Sequence, residues 1–339
     1  MGQVVLVTGV SSDFGGRFAR RIAADPSVDR VVGVDVVPPR ADLGRVSFVR
    51  ADIRNPVIAK VVAGQDVDTV VHLSVQPSDS SGAGRSSMKE HNVIGTMQLL
   101  AACQRAPGLE RLVVRSSAAV YGSSSADPAM FTEDMSAKRL PRTGFGKDVL
   151  EVEGYVRGFT RRRPDVNVTL LRPASVVGPG VSTRLTDYFR LPVVPTVLGY
   201  DARLQFVHDA DLLGALHHAT VDGVHGTFNV AGSGVLMLSQ AMRRLGRPTV
   251  SVPGFALSAA GTLGRQAGVR RLSPELATYL RFGRGLDTRR LRTVLGFTPG
   301  YTTPSAFADF AASVRAPSVR PPSPAPAPRV VVDTGADHG

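Results

Sequence analysis

Residues 4–16 read VVLVTGVSSDFGG, and this stretch decides the fold that the sequence predicts. A short apolar run, typical of a buried strand, ends at a glycine turn, and a segment of helical composition follows at residues 15–24. Such a turn lets the backbone approach a pyrophosphate, which then lies on the helix N-terminus. Gly9 and Gly15 hold the outer positions of a GxxGxxG pattern, whereas Ser12 occupies the middle one. Taken alone, the loop is equally consistent with a strand–turn–helix that binds no ligand.

Three neighbouring side chains bear on what this loop binds. Phe14 belongs to the loop and is expected to contact a dinucleotide, whereas Asp13 brings a carboxylate near the phosphates, which is unfavourable unless it turns to solvent. Asp35 ends the second apolar run, where an acidic residue binds the adenine ribose hydroxyls and repels a 2′-phosphate. The sequence therefore predicts NAD. Arg40 leaves NADP open as an alternative, and an exposed aspartate with no ligand is another.

The first half of the chain alternates short β-branched runs with helical stretches. The runs predict buried strands at residues 4–7, 31–34, 46–49, 70–73, 112–115 and 168–171, and helical composition occurs at 15–24 and 86–105. Apolar strands that alternate with helices are typical of a parallel sheet covered on both faces. The predicted fold class is α/β, a doubly wound, Rossmann-like parallel sheet with a smaller C-terminal substrate lobe.

The second half is organised differently. Residues 1–171 are predicted to form a dinucleotide-binding domain, and residues 172–315 mainly a substrate-binding lobe that is interleaved with the sheet domain. Phe307, Phe310 and Val314 recur at helical spacing and predict a final docked helix. The proline-rich residues 316–339 are expected to be a disordered tail.

Composition limits the partners and the compartment. The net charge of +12 comes mostly from scattered arginines with no nucleic-acid-binding motif, so a solvated basic surface is favoured over nucleic-acid binding. One cysteine, Cys103, allows no internal disulfide, which fits a reducing compartment. The N-terminus lacks a signal-peptide pattern, and no stretch reaches the roughly 20 apolar residues that cross a bilayer. We expect a cytoplasmic protein without membrane contact.

Further segments, in order along the chain, resemble the extended short-chain dehydrogenase/reductases, the family of NAD-dependent sugar-nucleotide epimerases and dehydratases. They are ADIR (51–54), HLSV (72–75), NVIGT (92–96), SSAAVYG (116–122), LRP (171–173), VGPG (177–180), FVHDAD (206–211), FNVAG (228–232), DTRR (287–290) and LGFTP (295–299).

The resemblance implies roles for individual residues. It implies that Ser117 holds a substrate oxygen and that the cofactor is NAD. It also implies further cofactor contacts at Asp52, Ile53, Leu73, Ser74, Val75, Asn92 and Pro173. The implied substrate is a small molecule such as a sugar nucleotide, and a homodimer is possible because the family often pairs two helices across a dimer.

The chain departs from the family at its catalytic pair, a tyrosine and a lysine spaced as YxxxK. Residues 141–149 read PRTGFGKDV, so Phe145 takes the tyrosine position and Val149 the lysine position. Lys147 lies about 200° around the helix from Phe145 and points elsewhere. Loss of a positioned acid–base group costs about 10²–10⁴ in rate. Tyr121 is a conceivable substitute acid, although a packed or substrate-lining tyrosine is favoured.

Two functions remain in competition. One is an NAD-dependent epimerase/dehydratase-like oxidoreductase with an unorthodox or weakened proton-transfer site. The other is a non-catalytic NAD-binding regulatory or scaffold protein. His208 is expected to make a local hydrogen bond or to line the cleft, and His217 and His218, adjacent on a helix, cannot share a face as metal ligands.

Overall fold

The central element is a sheet of seven parallel strands. The computed structural model describes residues 2–77, 84–254 and 273–315. Along the sheet the strands follow the order β11-β6-β5-β4-β1-β2-β3. They are β1 (Gln3–Thr8), β2 (Val28–Asp35), β3 (Ser47–Arg50), β4 (Thr69–His72), β5 (Arg111–Arg115), β6 (Asn167–Pro173) and β11 (Gly226–Val230). The six predicted strands are confirmed, whereas the seventh, β11, was not predicted as part of the sheet.

Helices cover both faces of this sheet. They are α1 (Asp13–Ala23), α2 (Val57–Gly64), α3 (Gly84–Lys89), α4 (Gly95–Gln104), α5 (Gly144–Arg162) and α7 (Asp209–Asp222). The predicted helix at residues 86–105 is interrupted by a π-helical turn at Glu90–Ile94. Asn92 lies in this wider turn, and its side chain bonds both the N–H and the C=O of Gln76 beyond β4. π-Helical turns of this kind are often found at functional sites.

Strand alternation explains the two cores of the sheet. Val5 and Val7 point to one face, where they pack in a cluster with Phe18 of α1 and Leu216 of α7. Leu6 points to the other face, where the buried cluster comes largely from α2, α4 and α5. Because both faces are buried, the strands are apolar on both sides, as the sequence indicated.

The remaining elements form a second assembly beside the carboxyl ends of the strands. Its strands are β7 (Ser175–Val177), β8 (Val194–Val197), β9 (Arg203–Leu204), β10 (Phe206–His208), β12 (Leu236–Met237) and β13 (Thr249–Val252). Its helices are α6 (Arg184–Phe189), α8 (Leu238–Leu245), α9 (Pro274–Phe282) and α11 (Thr303–Arg315), whereas α10 (Arg289–Thr293) packs its Leu291 into the core of the sheet. Helix α11 confirms the predicted final helix, and its Phe307 packs edge-on against Phe189 at 5.2 Å.

The two halves of the chain interpenetrate. A buried cluster drawn from residues 177–311 belongs to the second assembly, whereas α7 and β11 return to the sheet and bury Leu216 and Phe228 there. A sequence boundary at residue 171 therefore does not separate two continuous units of packing. Residues 316–339, predicted as a tail, lie outside the described residues. Within the described stretches, no helix is both long and apolar enough to span a membrane.

Candidate active site

The phosphate loop lies where β1 ends and α1 begins, at the border between β1 and β4. Gly9 has a φ of +82°, which favours glycine. A Cβ built on Gly15 would overlap the carbonyl oxygen of Gly9, so only glycine fits there. Ser12 replaces the middle glycine without distorting the turn, because its Oγ donates to Gly9 O at 2.8 Å and accepts from Gly15 N at 3.0 Å. Ser12 is thereby also the N-cap of α1.

Asp13 does not face the concave side of this loop. Its side chain is 85% exposed and pairs with Arg17 at 3.0 Å, and Arg17 in turn pairs with Asp209 at 2.8 Å. Phe14 makes a cation–π contact with Arg115, whose guanidinium lies 4.7 Å from the centre of the Phe14 ring. The carboxylate that the sequence placed near the phosphates is therefore directed to solvent.

Asp35 occupies the end of β2, as the sequence predicted, and its carboxylate bonds the phosphate loop through the backbone of Ser11. One carboxylate oxygen accepts from Ser11 N at 3.0 Å, and the other accepts from Val36 N at 2.8 Å. Each oxygen retains a lone pair for a further hydroxyl donor. Arg40 is exposed on the following turn. The geometry leaves Asp35 able to accept from a ribose.

The cofactor contacts that the family resemblance implies after β3 and β4 include both partly exposed and buried residues. Asp52 forms a two-armed ion pair with Arg54, whose hydrogen bonds hold the pKa of that carboxyl below its usual value. The Ile53 side chain is buried and packs closely on α4, since a Cβ built on Gly95 would lie 2.8 Å from it. Leu73, Ser74 and Val75 follow β4 and are all buried.

Asn92 fixes the loop after β4 and adjoins a buried ion pair. Its Nδ2 lies 3.4 Å from Asp148 on α5, a residue whose side chain is fully buried. Asp148 is held by both arms of Arg85, one of them at 2.6 Å, and Arg85 also donates to Gly144 O at 2.6 Å. A cation from α3 thus lies against the first turn of α5, where the family carries its catalytic pair.

The two positions to which the sequence assigned the catalytic pair lie in an apolar environment. Phe145 and Val149 belong to an apolar cluster with Val75 and Ala118, and Val149 is fully buried. Lys147 points away and pairs with Glu151.

Tyr121 does not supply the missing phenol, because it is 1% exposed and is hydrogen-bonded to Asn229 at 2.9 Å and Arg172 at 2.7 Å. Burial raises its pKa. His208 is likewise a structural residue that caps α7, pairs with Asp309 at 2.9 Å and stacks on Tyr301. Within the described part of the chain, no cluster of metal-ligating residues is present.

A cavity of about 380 Å³ opens above these residues, between the sheet edge and the second assembly. Ser117 and Pro173 line its sheet side, and the Ser117 Oγ accepts from Ala119 N at 3.1 Å, which leaves its O–H free to donate. Arginines dominate the charged lining, whose described members are Arg115, Arg139, Arg142, Arg184 and Arg284, with Glu275 as the one carboxylate. This cavity favours a polyanionic ligand.

Sequence reasoning missed the arginines that line this cavity, Arg115 among them, and it also missed Arg85 and Glu275. Arg115 ends the apolar strand β5, and a charged residue at the carboxyl end of a buried strand is a signal that could have been found. Burial lowers its pKa to about 10, so it remains charged at neutral pH. Arg85 and Glu275 meet α5 from segments far away in the chain, and no local pattern indicates either contact.

Comparison with known proteins agrees with the fold and the loop. The sequence profile of the NAD dependent epimerase/dehydratase family matches residues 5–231, and the chain belongs to this family. An uncharacterised protein of Mycobacterium tuberculosis (strain ATCC 25618 / H37Rv) is 49% identical over 312 residues, which are 91% of this chain and 83% of that protein. The dTDP-4-dehydro-6-deoxy-D-allose reductase of a Streptomyces species is 29% identical over 274 residues, covering 73% of this chain and 82% of the reductase.

Solved structures show the same architecture. UDP-glucuronic acid 4-epimerase from Bacillus cereus, in complex with NAD, superposes with a TM-score of 0.68 at 18% identity over 92% of this chain and 98% of the epimerase. The dTDP-glucose 4,6-dehydratase from Streptomyces venezuelae, with NAD bound, gives a TM-score of 0.70 at 22% identity over 92% of this chain and 97% of the dehydratase. At these identities the likeness shows the fold.

The described residues fit the NAD that the family name implies. A Cβ at position 15 would overlap the Gly9 carbonyl group, so glycine lets the start of α1 pack directly on the turn that follows β1. An anionic pyrophosphate binds at the N-terminus of a helix placed in this way. Asp35 retains the acceptors that a ribose needs.

Proposed function

We propose that the protein is an NAD-dependent oxidoreductase of the epimerase/dehydratase kind that acts on a sugar nucleotide or a similar phosphate-bearing alcohol. The observation that carries this proposal is the arginine-lined cavity, one of whose lining residues, Arg115, lies over the ring of Phe14 in the phosphate loop. Arginine binds phosphate through paired N–H donors, and several guanidiniums suit a diphosphate. The relatives whose names record UDP- or dTDP-linked sugars support the same substrate class.

Each residue of the site has a stated task in this proposal. Bound NAD supplies a hydride acceptor. The loop from Gly9 to Gly15 holds its pyrophosphate, and Asp35 accepts from its ribose. Ser117 donates to the reacting oxygen of the substrate, while Val75 and Phe145 present apolar walls that exclude water. Excluding water strengthens the electrostatic interactions inside the cavity.

A single assay tests this activity. The purified protein is incubated with NAD and, separately, UDP-glucose, UDP-glucuronic acid and dTDP-glucose, and both NADH absorbance and sugar products are followed. We expect conversion of at least one nucleotide sugar. A matched Ser117→Ala protein should lose about 10- to 100-fold in kcat, because the substrate oxygen loses its donor. Binding of NAD without conversion of any nucleotide sugar would count against the proposal.

A second function is favoured by the substituted pair. Phe145 and Val149 carry no exchangeable proton, and the alternative proposal is a non-catalytic NAD-binding regulator or scaffold whose occupancy by NAD controls its contact with a partner. This alternative requires NAD binding without turnover and a change in association when NAD is added. Sedimentation with and without NAD measures that change and also tests the proposed homodimer. For either function we infer a cytoplasmic location and no nucleic-acid partner.

A further inference from the structure

Glu275, at the start of α9, reaches across the cavity to the first turn of α5. A Cβ built on Gly144 would overlap its carboxylate, so the carboxylate lies against the residue before Phe145. Glu275 and Phe145 line the same cavity as Ser117. The carboxyl group of Glu275 is therefore within a side chain's length of the position where the family places its tyrosine.

The hydrogen bonding of Glu275 is incomplete. Its Oε1 is buried, yet no donor among the described residues forms a hydrogen bond of good geometry with it. Hydrogen bonds from the backbone N–H groups of Phe145 and Gly146 to the carboxyl group oppose the rise of its pKa, so the incomplete bonding concerns Oε1. A buried acceptor without a bonded donor costs free energy, and such groups concentrate at sites where a ligand completes the network.

We propose that Glu275 takes the place of the absent tyrosine as the catalytic residue that accepts and returns the proton of the substrate alcohol. The proposal rests on the oxidoreductase function proposed above. In the oxidation step the O–H bond of the substrate breaks and its proton passes to a Glu275 oxygen. The electron pair of that bond forms the carbonyl, and the adjacent C–H leaves as hydride to NAD. In the reverse step Glu275 returns the proton.

The charges around Glu275 suit this exchange. Burial raises the pKa of its carboxyl, against the opposing effects of the two N–H groups and of Arg184 on α6 and Arg85 on α3. Asp148 and Glu151 of α5 lie on the far side of Arg85 and act on its charge. A carboxyl with a raised pKa exchanges protons closer to neutral pH than an ordinary glutamate does.

A purely structural role is the competing explanation. Thr143, the N-cap of α5, makes no side-chain hydrogen bond to the helix, so Glu275 could serve only to stabilise the helix start. Glutamine at position 275 preserves the acceptor and the shape but cannot ionise. Aspartate preserves the ionisable group. Glu151→Gln removes a partly exposed carboxylate of α5 that pairs with Lys89 and Lys147, and it is the matched control.

The first measurement needs no substrate. Dissociation constants for NAD⁺ and for NADH are measured by calorimetry between about pH 5 and about pH 9. Only NAD⁺ carries a positive nicotinamide, so a nearby carboxylate should increase the preference for NAD⁺ over NADH by about tenfold as Glu275 ionises. We expect this increase in the unmodified protein, in Glu275→Asp and in Glu151→Gln, and a flat ratio in Glu275→Gln. A Glu275→Gln protein whose ratio still changes with pH like the unmodified protein overturns the proposal.

The second measurement uses UDP-glucose, UDP-glucuronic acid and dTDP-glucose. Glu275→Gln should lower kcat by about 10²- to 10⁴-fold with little change in KM, and Glu275→Asp should recover part of the loss. Unchanged kcat in Glu275→Gln overturns the proposal, as does a loss that only follows a lowered melting temperature. If the unmodified protein converts none of the sugars, the proposed function fails on them, whereas the cofactor ratio still decides where the Glu275 charge lies.

Discussion

Phe145 and Val149 lie one helical turn apart on α5 and pack into the same apolar cluster. The sequence interpretation assigns the phenol and the ammonium of the family's catalytic pair to these two positions. Both side chains make hydrophobic contacts, and Val149 is fully buried. On that interpretation, proton transfer requires a group outside these two positions.

Restoring both members of the pair should have an effect that neither change has alone. Phe145→Tyr should do little, because an unassisted phenol with a pKa of about 10 stays protonated. Val149→Lys should also do little for turnover and should lower the melting temperature, since it buries an ammonium among apolar side chains. Together they should raise turnover beyond the product of the single effects. A double-mutant cycle that follows both sugar products and NADH formation measures this, and ordinary turnover in the unmodified protein that both changes slow would contradict it.

The hydrogen bonds of Asp35 predict a preference for NAD over NADP of about tenfold or more. Asp35→Asn keeps an acceptor for Ser11 N–H but removes the charge that repels a 2′-phosphate. It should therefore strengthen NADP binding more than it weakens NAD binding. Calorimetric titration with NAD and with NADP measures both affinities, and Arg40→Ala is titrated in parallel for comparison. Equal or stronger NADP binding by the unmodified protein would show that Arg40 governs the pocket.

The position of Asp13 predicts that its charge has little influence on the dinucleotide. Had the carboxylate faced the phosphates, Asp13→Gly would tighten binding by removing a repulsion. Because it is 85% exposed and paired with Arg17, we expect Asp13→Asn and Asp13→Gly to change NAD affinity by less than about threefold. Titration of NAD into both variants measures this. A large gain in affinity would place the carboxylate near the pyrophosphate.

Replacing Glu153 should cause a large loss of stability, because its carboxylate is buried in an ion pair. Its carboxylate is 2% exposed and accepts from Arg172 at 2.9 and 2.7 Å and from Ser116 at 2.6 Å. Glu153→Gln leaves the guanidinium buried without its anion, which should lower the free energy of unfolding by about 3 kcal/mol. Glu151→Gln, on the exposed face of the same helix, should cost less than about 1 kcal/mol. Urea unfolding compares the two, and equal losses would contradict the assignment.

The burial of His72 predicts that the folded protein loses stability as the pH falls. His72 is fully buried between Thr8 and Thr96, each at 2.8 Å, and burial lowers its pKa to about 3. Because the folded pKa lies below the unfolded value, its contribution is complete above about pH 6.5 and is lost as the pH falls towards the folded pKa. At pH 5 the loss should reach about 2 kcal/mol. His72→Gln should remove that part of the pH dependence in urea unfolding, and an unaltered dependence would show that another group causes it.

Much of the fold followed from the sequence because its signals are local. The runs of β-branched residues and the turn at Gly9 each specify their own conformation, and a parallel sheet follows from their alternation with helices. Strand β11 was not predicted because residues 226–230 stand among short elements, and only their pairing with β6 shows that they extend the sheet. The π-helical turn was not predicted either, because the contact of Asn92 with Gln76 in the loop after β4 is not visible in the local sequence.

The site was predictable only where one segment builds it. Gly9, Ser12, Gly15, Asp35 and Ser117 lie at the strand ends that the sequence indicated. The direction of Asp13 depends on Arg17 and Asp209, and the cluster that buries Val149 comes from several segments. The contact between Glu275 and Gly144 joins residues that no periodicity relates. Such contacts are products of tertiary packing, so local patterns carry no information about them.

Ser12 has a consequence for how the loop meets its ligand. The Ser12 hydroxyl hydrogen-bonds both Gly9 O and Gly15 N and so fixes the turn. Because this hydroxyl belongs to the chain, the bonds do not depend on a bound dinucleotide. The conformational entropy of the loop is therefore lost when the chain folds. A phosphate that arrives meets a preorganised surface, and little of its interaction free energy is diverted into ordering the backbone.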